Sequence, residues 1–355
     1  MKSNWTWSTT LEQLNENTPL SIEITIERDE RLKKLNHLIM VPGHAIWIGN
    51  DVDKIENDDE WILQDMQKGG SVKTFLKHLK EGVERMKVDE KSLLVFSGGA
   101  TRPSPSPPLS ESLSYYLLAS SLNLIPTTSS HPPILPLSAR TTTEEYALDS
   151  YQNLLFSISR FHEITTNYPE RITVVGYGMK SFRFVNLHRA TIGFPLDKFD
   201  YVGIDDSGDV RKHYEGEWKF GFLPFLKDPT GCHDPLILKK INRNPWIKYH
   251  GYHVSCPELR GLLEWCPPDE DFELGGLGGL DGLDGLNGFG GLGGVDGAGG
   301  SGRWHGKDGK LGLKDDEMGI IKENKINVRV YPGGLPWKQS SEGGISGTTW
   351  GREKD

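Results

Sequence analysis

The chain has 355 residues, 36% hydrophobic and 25% charged, enough for one large domain or two modest ones with a sizeable core. A formal charge of −9 and a pI near 5.7 argue against non-specific binding to nucleic acid or to an anionic membrane, both of which need a basic face, and leave room for a local basic pocket. No long apolar run and no secretory pattern in Met1–Leu20 is present, and only three cysteines occur, Cys232, Cys256 and Cys266. These features predict a cytoplasmic protein in a reducing compartment, without a disulfide framework.

Taken in order, Ser21–Arg28 alternates with Ile22, Ile24 and Ile26 on one side, as a half-buried strand does. His37–Gly43 (HLIMVPG) is an apolar run closed by glycine, followed by His44 and an acidic surface loop, Asp51–Glu60. Val72, Phe75, Leu76, Leu79, Val83 and Met86 recur at helical spacing. Leu93–Phe96 then forms a strand that breaks into Ser97-Gly98-Gly99. Thr101–Pro108 (TRPSPSPP) cannot be regular structure and is expected to be a loop over a pocket mouth or a lid.

A helix is predicted over Glu111–Leu122, and another to about Thr165, capped by Asp149-Ser150. Ile172–Gly178 (ITVVGYG) repeats the strand-then-glycine pattern; a basic helix Ser181–Ala190 carrying Arg183, His188 and Arg189 follows Lys180, and Phe199–Ile204 is a further strand. Such alternation predicts an α/β fold, a doubly wound, mostly parallel Rossmann-like sheet, over residues 21–205. Residues 206–273 are expected to be irregular but docked on the core. Residues 274–302, nearly all Gly, Leu and Asp, read as a disordered insert, and 303–355 as a tail with a returning strand or docking segment.

Three strands thus aim glycine-bearing turns at one crevice, where glycine allows close backbone approach and free N–H groups meet an anion. Lys180 and Arg183 follow a strand end, which adds a basic clamp, with Arg183 as its two-pronged donor and Lys180 as a point charge. Glu144 and Glu145 read as a solvated pair. His250, His253, Cys256 and Cys266 have a superficial metal-ligand look, but no paired C-x-x-C accompanies them and turn packing is the expected role, so no metal is assigned. No G-x-S-x-G elbow occurs, and no G-x-G-x-x-G follows the first strand.

The stretches Gly43, Ser97-Gly98-Gly99 with Ser110-Glu111, Ser150-Tyr151-Gln152-Asn153, and Lys180 with Arg183 follow one another as in the SanA/YdcF-like domain family, which the chain resembles over about His37–Asp205, and more closely its fungal cytosolic branch. His44 stands where a glycine is common there, Gln152 replaces a glutamate and Lys180 replaces a histidine. The resemblance implies a Rossmann-like fold, S-adenosylmethionine as a candidate ligand, and no established reaction. Together with the residues themselves it implies a site of Gly43, His44, Ser97, Gly98, Gly99, Ser150, Asn153 and Arg183 for an anionic or zwitterionic small molecule. If the protein is an enzyme, Glu111 and Lys180 are its reacting groups; the alternative is a non-catalytic ligand sensor or interaction module.

Overall fold

The computed structural model describes residues 25–26, 28–49, 51–129, 134–268, 303–304 and 328–339. The predicted strand at Ser21–Arg28 and the glycine-rich 274–302 lie wholly or mostly outside them. Five parallel strands form the sheet: β1 (His37–Pro42), β4 (Ser92–Ser97), β5 (Thr141–Glu144), β6 (Arg171–Gly176) and β7 (Phe199–Gly203). Their spatial order is β5-β4-β1-β6-β7, and Arg303–Trp304 adds an antiparallel edge (β8) to β7. A small hairpin, β2 (Ile46–Trp47) with β3 (Trp61–Ile62), holds the acidic loop at the surface.

The strands are apolar throughout because both faces are covered. Leu38, Met40, Leu93, Val95, Ile172 and Val174 point to one side, against α3 (Ser150–Thr165) and the helical stretch that begins at Ser181 (α4, residues 181–191). Ile39, Val41, Leu94, Phe96 and Val175 point to the other, against α1 (Ser71–Val88) and α2 (Glu111–Ser121). α4 runs from Ser181–Arg183 through a π turn at Phe184–His188 to Arg189–Thr191. The predicted doubly wound α/β sheet is therefore what forms.

The stretch beyond Asp205 is more regular than its sequence suggests. α5 runs from Arg211–Glu217 through a π turn at Trp218–Phe222 to Leu223–Lys227, followed by α6 (Leu236–Asn242), α7 (Tyr252–Ser255) and α8 (Arg260–Leu263). Prolines and short turns break the 3.6-residue periodicity into pieces too short to read. Phe222, Phe225, Leu236, Tyr252, Leu259 and Leu262 nevertheless dock on the α3/α4 side of the core, as expected. The tail docks too: Tyr331 N–H donates to Thr191 O and the buried Trp337 indole to Ile192 O, both at 2.9 Å. Residues 328–339 contain no strand.

One expectation about the cysteines is overturned. Cys232, after α5, and Cys266 form a disulfide, because the docking segment brings together two residues 34 apart in sequence. Counting cysteines cannot reveal such proximity. Cys256 alone is free, buried against Ser159 O, so the cysteines do not converge with His250 and His253. No described helix is long and apolar enough to cross a membrane.

Candidate functional site

Chain order and spatial order part between β1 and β6: successive crossovers run one way from β1 to β4 and β5, and the other way from β6 to β7. At such a switch point the loops leaving the carboxyl ends of two strands diverge and open a crevice, the usual ligand position in this architecture. His44 follows β1 there and Tyr177 follows β6. Their rings are 5.0 Å apart and pack with Phe75 and His78, so the floor of the crevice is aromatic. Burial and the Lys180 charge hold His44 well below the usual histidine range, which makes it neutral at pH 7.

Above this floor stands Lys180, half-buried, its Nζ 5.6 Å from the centre of the Tyr177 ring. Among the described residues its ammonium makes no hydrogen bond and no ion pair. Burial and Arg183 push its pKa down to about 8, with Arg243 adding to the repulsion and Glu217 and Glu111 opposing it. Arg102 lies beside His44 and Glu111, donating to His44 O at 3.4 Å and 4.0 Å from Glu111 Oε1, while the Trp246 indole fixes its backbone through Arg102 O at 2.9 Å.

The glycines are placed as predicted, but they do not offer their N–H groups. Gly43 N–H donates to Ser97 O, Gly98 N–H to Glu144 O and Gly99 N–H to Ala147 O. The first turn of α2 is closed in the same way, with Glu111 N–H on Gly99 O and Ser112 N–H on Gly98 O. The close approach that glycine permits is made instead by the Glu111 side chain: a Cβ on Gly43 would lie 2.5 Å from Glu111 Cβ. Thr101 Oγ donates to Glu111 Oε1 at 2.8 Å, so the carboxylate is held at the crevice wall.

Ser97 is fully buried and belongs to a polar network behind the crevice. Its Oγ lies 2.9 Å from Glu144 Oε2 and 2.8 Å from Asn153 Oδ1. The Ser97 hydroxyl donates to Glu144 Oε2. Burial pushes the Glu144 carboxyl up to about 7, against the hydrogen bonds that Tyr146 N–H, Ser97 OH, Ala147 N–H and Tyr252 OH donate to it. Glu144 is thus no member of a solvated pair. The docked α7 covers it, a long-range contact invisible in Glu144-Glu145. Only Glu145 stays half-exposed.

The basic helix divides likewise. Arg183 is 7% exposed, its Nε 3.1 Å from Glu217 Oε1 and its guanidinium 5.5 Å from the centre of the Phe225 ring. Its charge is matched inside the fold, by a carboxylate from a stretch that carries no sequence signal. His188 is buried, its Nε2 2.8 Å from Ser150 Oγ, and burial holds it far below the usual range. Arg189 donates to Val185 O and Phe194 O at the end of its own helix. Ser150 therefore contacts His188, and Asp149 is the cap of α3, accepting from Gln152 N–H at 2.8 Å. Of the sequence-predicted residues, Gly43, His44, Glu111 and Lys180 meet at the crevice, whereas Ser97, Ser150, Asn153 and Arg183 support it from behind. Arg102, Tyr177, Glu217 and Arg243 had no local signal.

A cavity of about 550 Å³ lies elsewhere, at the β5 edge, lined by Tyr146, Arg160, Glu163, Lys248 and Tyr252 among others. Its cations already face carboxylates, Arg160 on Glu163 at 2.8 Å and Lys248 at 3.9 Å from Glu145, so it offers no unmatched charge to an anion.

The chain is similar to an uncharacterized Saccharomyces cerevisiae protein, YOR238W, 28% identical over 284 residues that cover 66% of this chain and 93% of the relative. No protein-family model matches the chain. No solved structure matches it either.

Proposed function

We propose that this chain binds an anionic or zwitterionic small molecule, nucleotide-like or S-adenosylmethionine-like, at the switch point between β1 and β6, as the likeness to SanA/YdcF-like domains implies. The observation that carries the reading is Lys180: a half-buried ammonium repelled by Arg183 and Arg243, with no carboxylate among the described residues paired to it. Desolvation and repulsion disfavour that charge, and an anionic ligand relieves both. The Glu111 carboxylate across the crevice suits the cationic end of a zwitterion.

Thermal-shift screening of nucleotides, phosphosugars and S-adenosylmethionine, followed by calorimetric titration of wild type and Lys180→Met, tests this. A ligand at 100 times its Kd stabilises the fold by about 2.7 kcal/mol. Lys180→Met is expected to lower the affinity by about 1–3 kcal/mol, the scale of a charge-assisted hydrogen bond. Equal affinity in both proteins, or no ligand in the screen, defeats the reading. With a ligand in hand, Glu111→Gln separates enzyme from sensor: loss of turnover at retained affinity makes Glu111 a reacting group.

A further inference from the structure

The residues that close the docking segment form a second constellation, remote in sequence from the crevice. Cys232 Sγ, His233 Nε2 and Cys266 Sγ lie within 4.8 Å of one another, and Cys266 is exposed to solvent. His233 Nε2 is 3.4 Å from Cys266 Sγ and donates to Pro267 O at 2.7 Å. Asp228, 4% exposed, accepts the His233 N–H at 2.7 Å and places a carboxylate oxygen 3.7 Å from Cys232 Sγ. Two sulfurs and an imidazole so gathered are the donor set of a thiophilic, tetrahedral cation.

We propose that Cys232, His233 and Cys266 form a redox-gated site for a zinc-class divalent cation, closed while the disulfide stands and open once it is reduced. A small thiol reductant supplies two electrons and two protons: the Sγ–Sγ bond breaks, two cysteine thiols form, and two reductant molecules leave joined as their own disulfide. Cation binding then releases the two thiol protons to solvent. The proton on His233 Nε2 leaves Pro267 O for Nδ1, so that the Nε2 lone pair faces the cation. Two thiolates on one tetrahedral zinc stand about 3.8 Å apart, given bonds near 2.3 Å. That separation asks for an opening of the two sulfurs in irregular backbone, since neither cysteine lies inside a helix or strand. The fourth position faces solvent beside the exposed Cys266.

Cobalt(II) titration of the full-length chain tests this, because thiolate–cobalt charge transfer and the intense visible bands of tetrahedral cobalt report the ligands directly. A phosphine does the reducing, taking an oxygen from water to become phosphine oxide as the two thiols form. The reduced chain is expected to bind one cobalt with both signatures and to release it to zinc. The air-oxidised chain and Cys232→Ser should show no thiolate band, and His233→Ala should bind at least about tenfold more weakly. Comparing oxidised with reduced wild type needs no variant to fold. Absence of the band in a reduced chain whose three thiols are all detected overturns the proposal. So does an unchanged band in Cys232→Ser, which would place the metal on other residues.

Discussion

Glu217 Oε1 lies 3.1 Å from Arg183 Nε, and the two side chains are only 10% and 9% exposed. They join α5 to the helix behind the crevice, and Arg183 is thereby held by the fold before any ligand arrives. Removing one partner of a buried ion pair leaves an uncompensated charge, at a cost of about 3–5 kcal/mol. Glu217→Ala should lower the urea-unfolding free energy on that scale, and a paired Arg183→Met, Glu217→Leu replacement should cost much less. An effect within about 0.5 kcal/mol for Glu217→Ala would mean that the pair is solvated.

Glu144 should write a signature into stability against pH. Its carboxyl titrates near 7 in the fold, above the ordinary 4.5, so the folded state holds a proton that the unfolded chain has lost between those values. Its contribution is complete below about pH 4.5 and lost as pH rises through 7, a fall of about 3 kcal/mol over the window. Glu144→Gln has no proton to lose. The difference between wild-type and variant unfolding free energies, followed from pH 4.5 to 8, should slope by this amount, and a flat difference would show Glu144 ionised throughout.

His78 acts with the opposite sign. Burial holds it down to about 4 while its Nε2–H donates to Ile204 O at 2.8 Å, so the folded state refuses a proton that the unfolded chain accepts below 6.5. This contribution is present above pH 6.5 and is lost as pH falls towards 4, by about 3 kcal/mol. His78→Gln keeps a donor for Ile204 O without the titration. Acid unfolding followed by circular dichroism should show a shallower acid limb in the variant, and an unchanged limb would remove His78 from the account.

The glycines at the crevice should fail for steric reasons rather than through ligand loss. Gly43→Ala places a methyl 2.5 Å from Glu111 Cβ, and Gly98→Ala adds a Cβ 3.2 Å from the same atom at a φ of +148°. Each should destabilise by about 1–3 kcal/mol, read as a lower melting temperature without ligand. A normal melting temperature in both variants would show that α2 can shift away freely.

The fold was legible because β1, β4 and β6 are apolar runs alternating with helices of clear periodicity, and sheets covered on both faces impose that pattern locally. Local pattern also located Gly43, Glu111 and Lys180 at strand and helix ends. What it could not convey was partnership. Which cation is matched depends on Glu217 in α5, and α5 reads as irregular because a π turn and Pro224 interrupt its periodicity.

The sequence by itself therefore determined the doubly wound sheet and the strand ends where its crevice opens, since burial on two faces and glycine at turns are written residue by residue. Only the tertiary structure decided that Arg183 is paired while Lys180 has no ion-pair partner among the described residues, that Glu144 is buried beneath Tyr252, and that Cys232 meets Cys266. Each of these depends on a contact between residues more than thirty positions apart or on its absence, set by how the segment after Asp205 packs back on the core, and no local spacing encodes that distance.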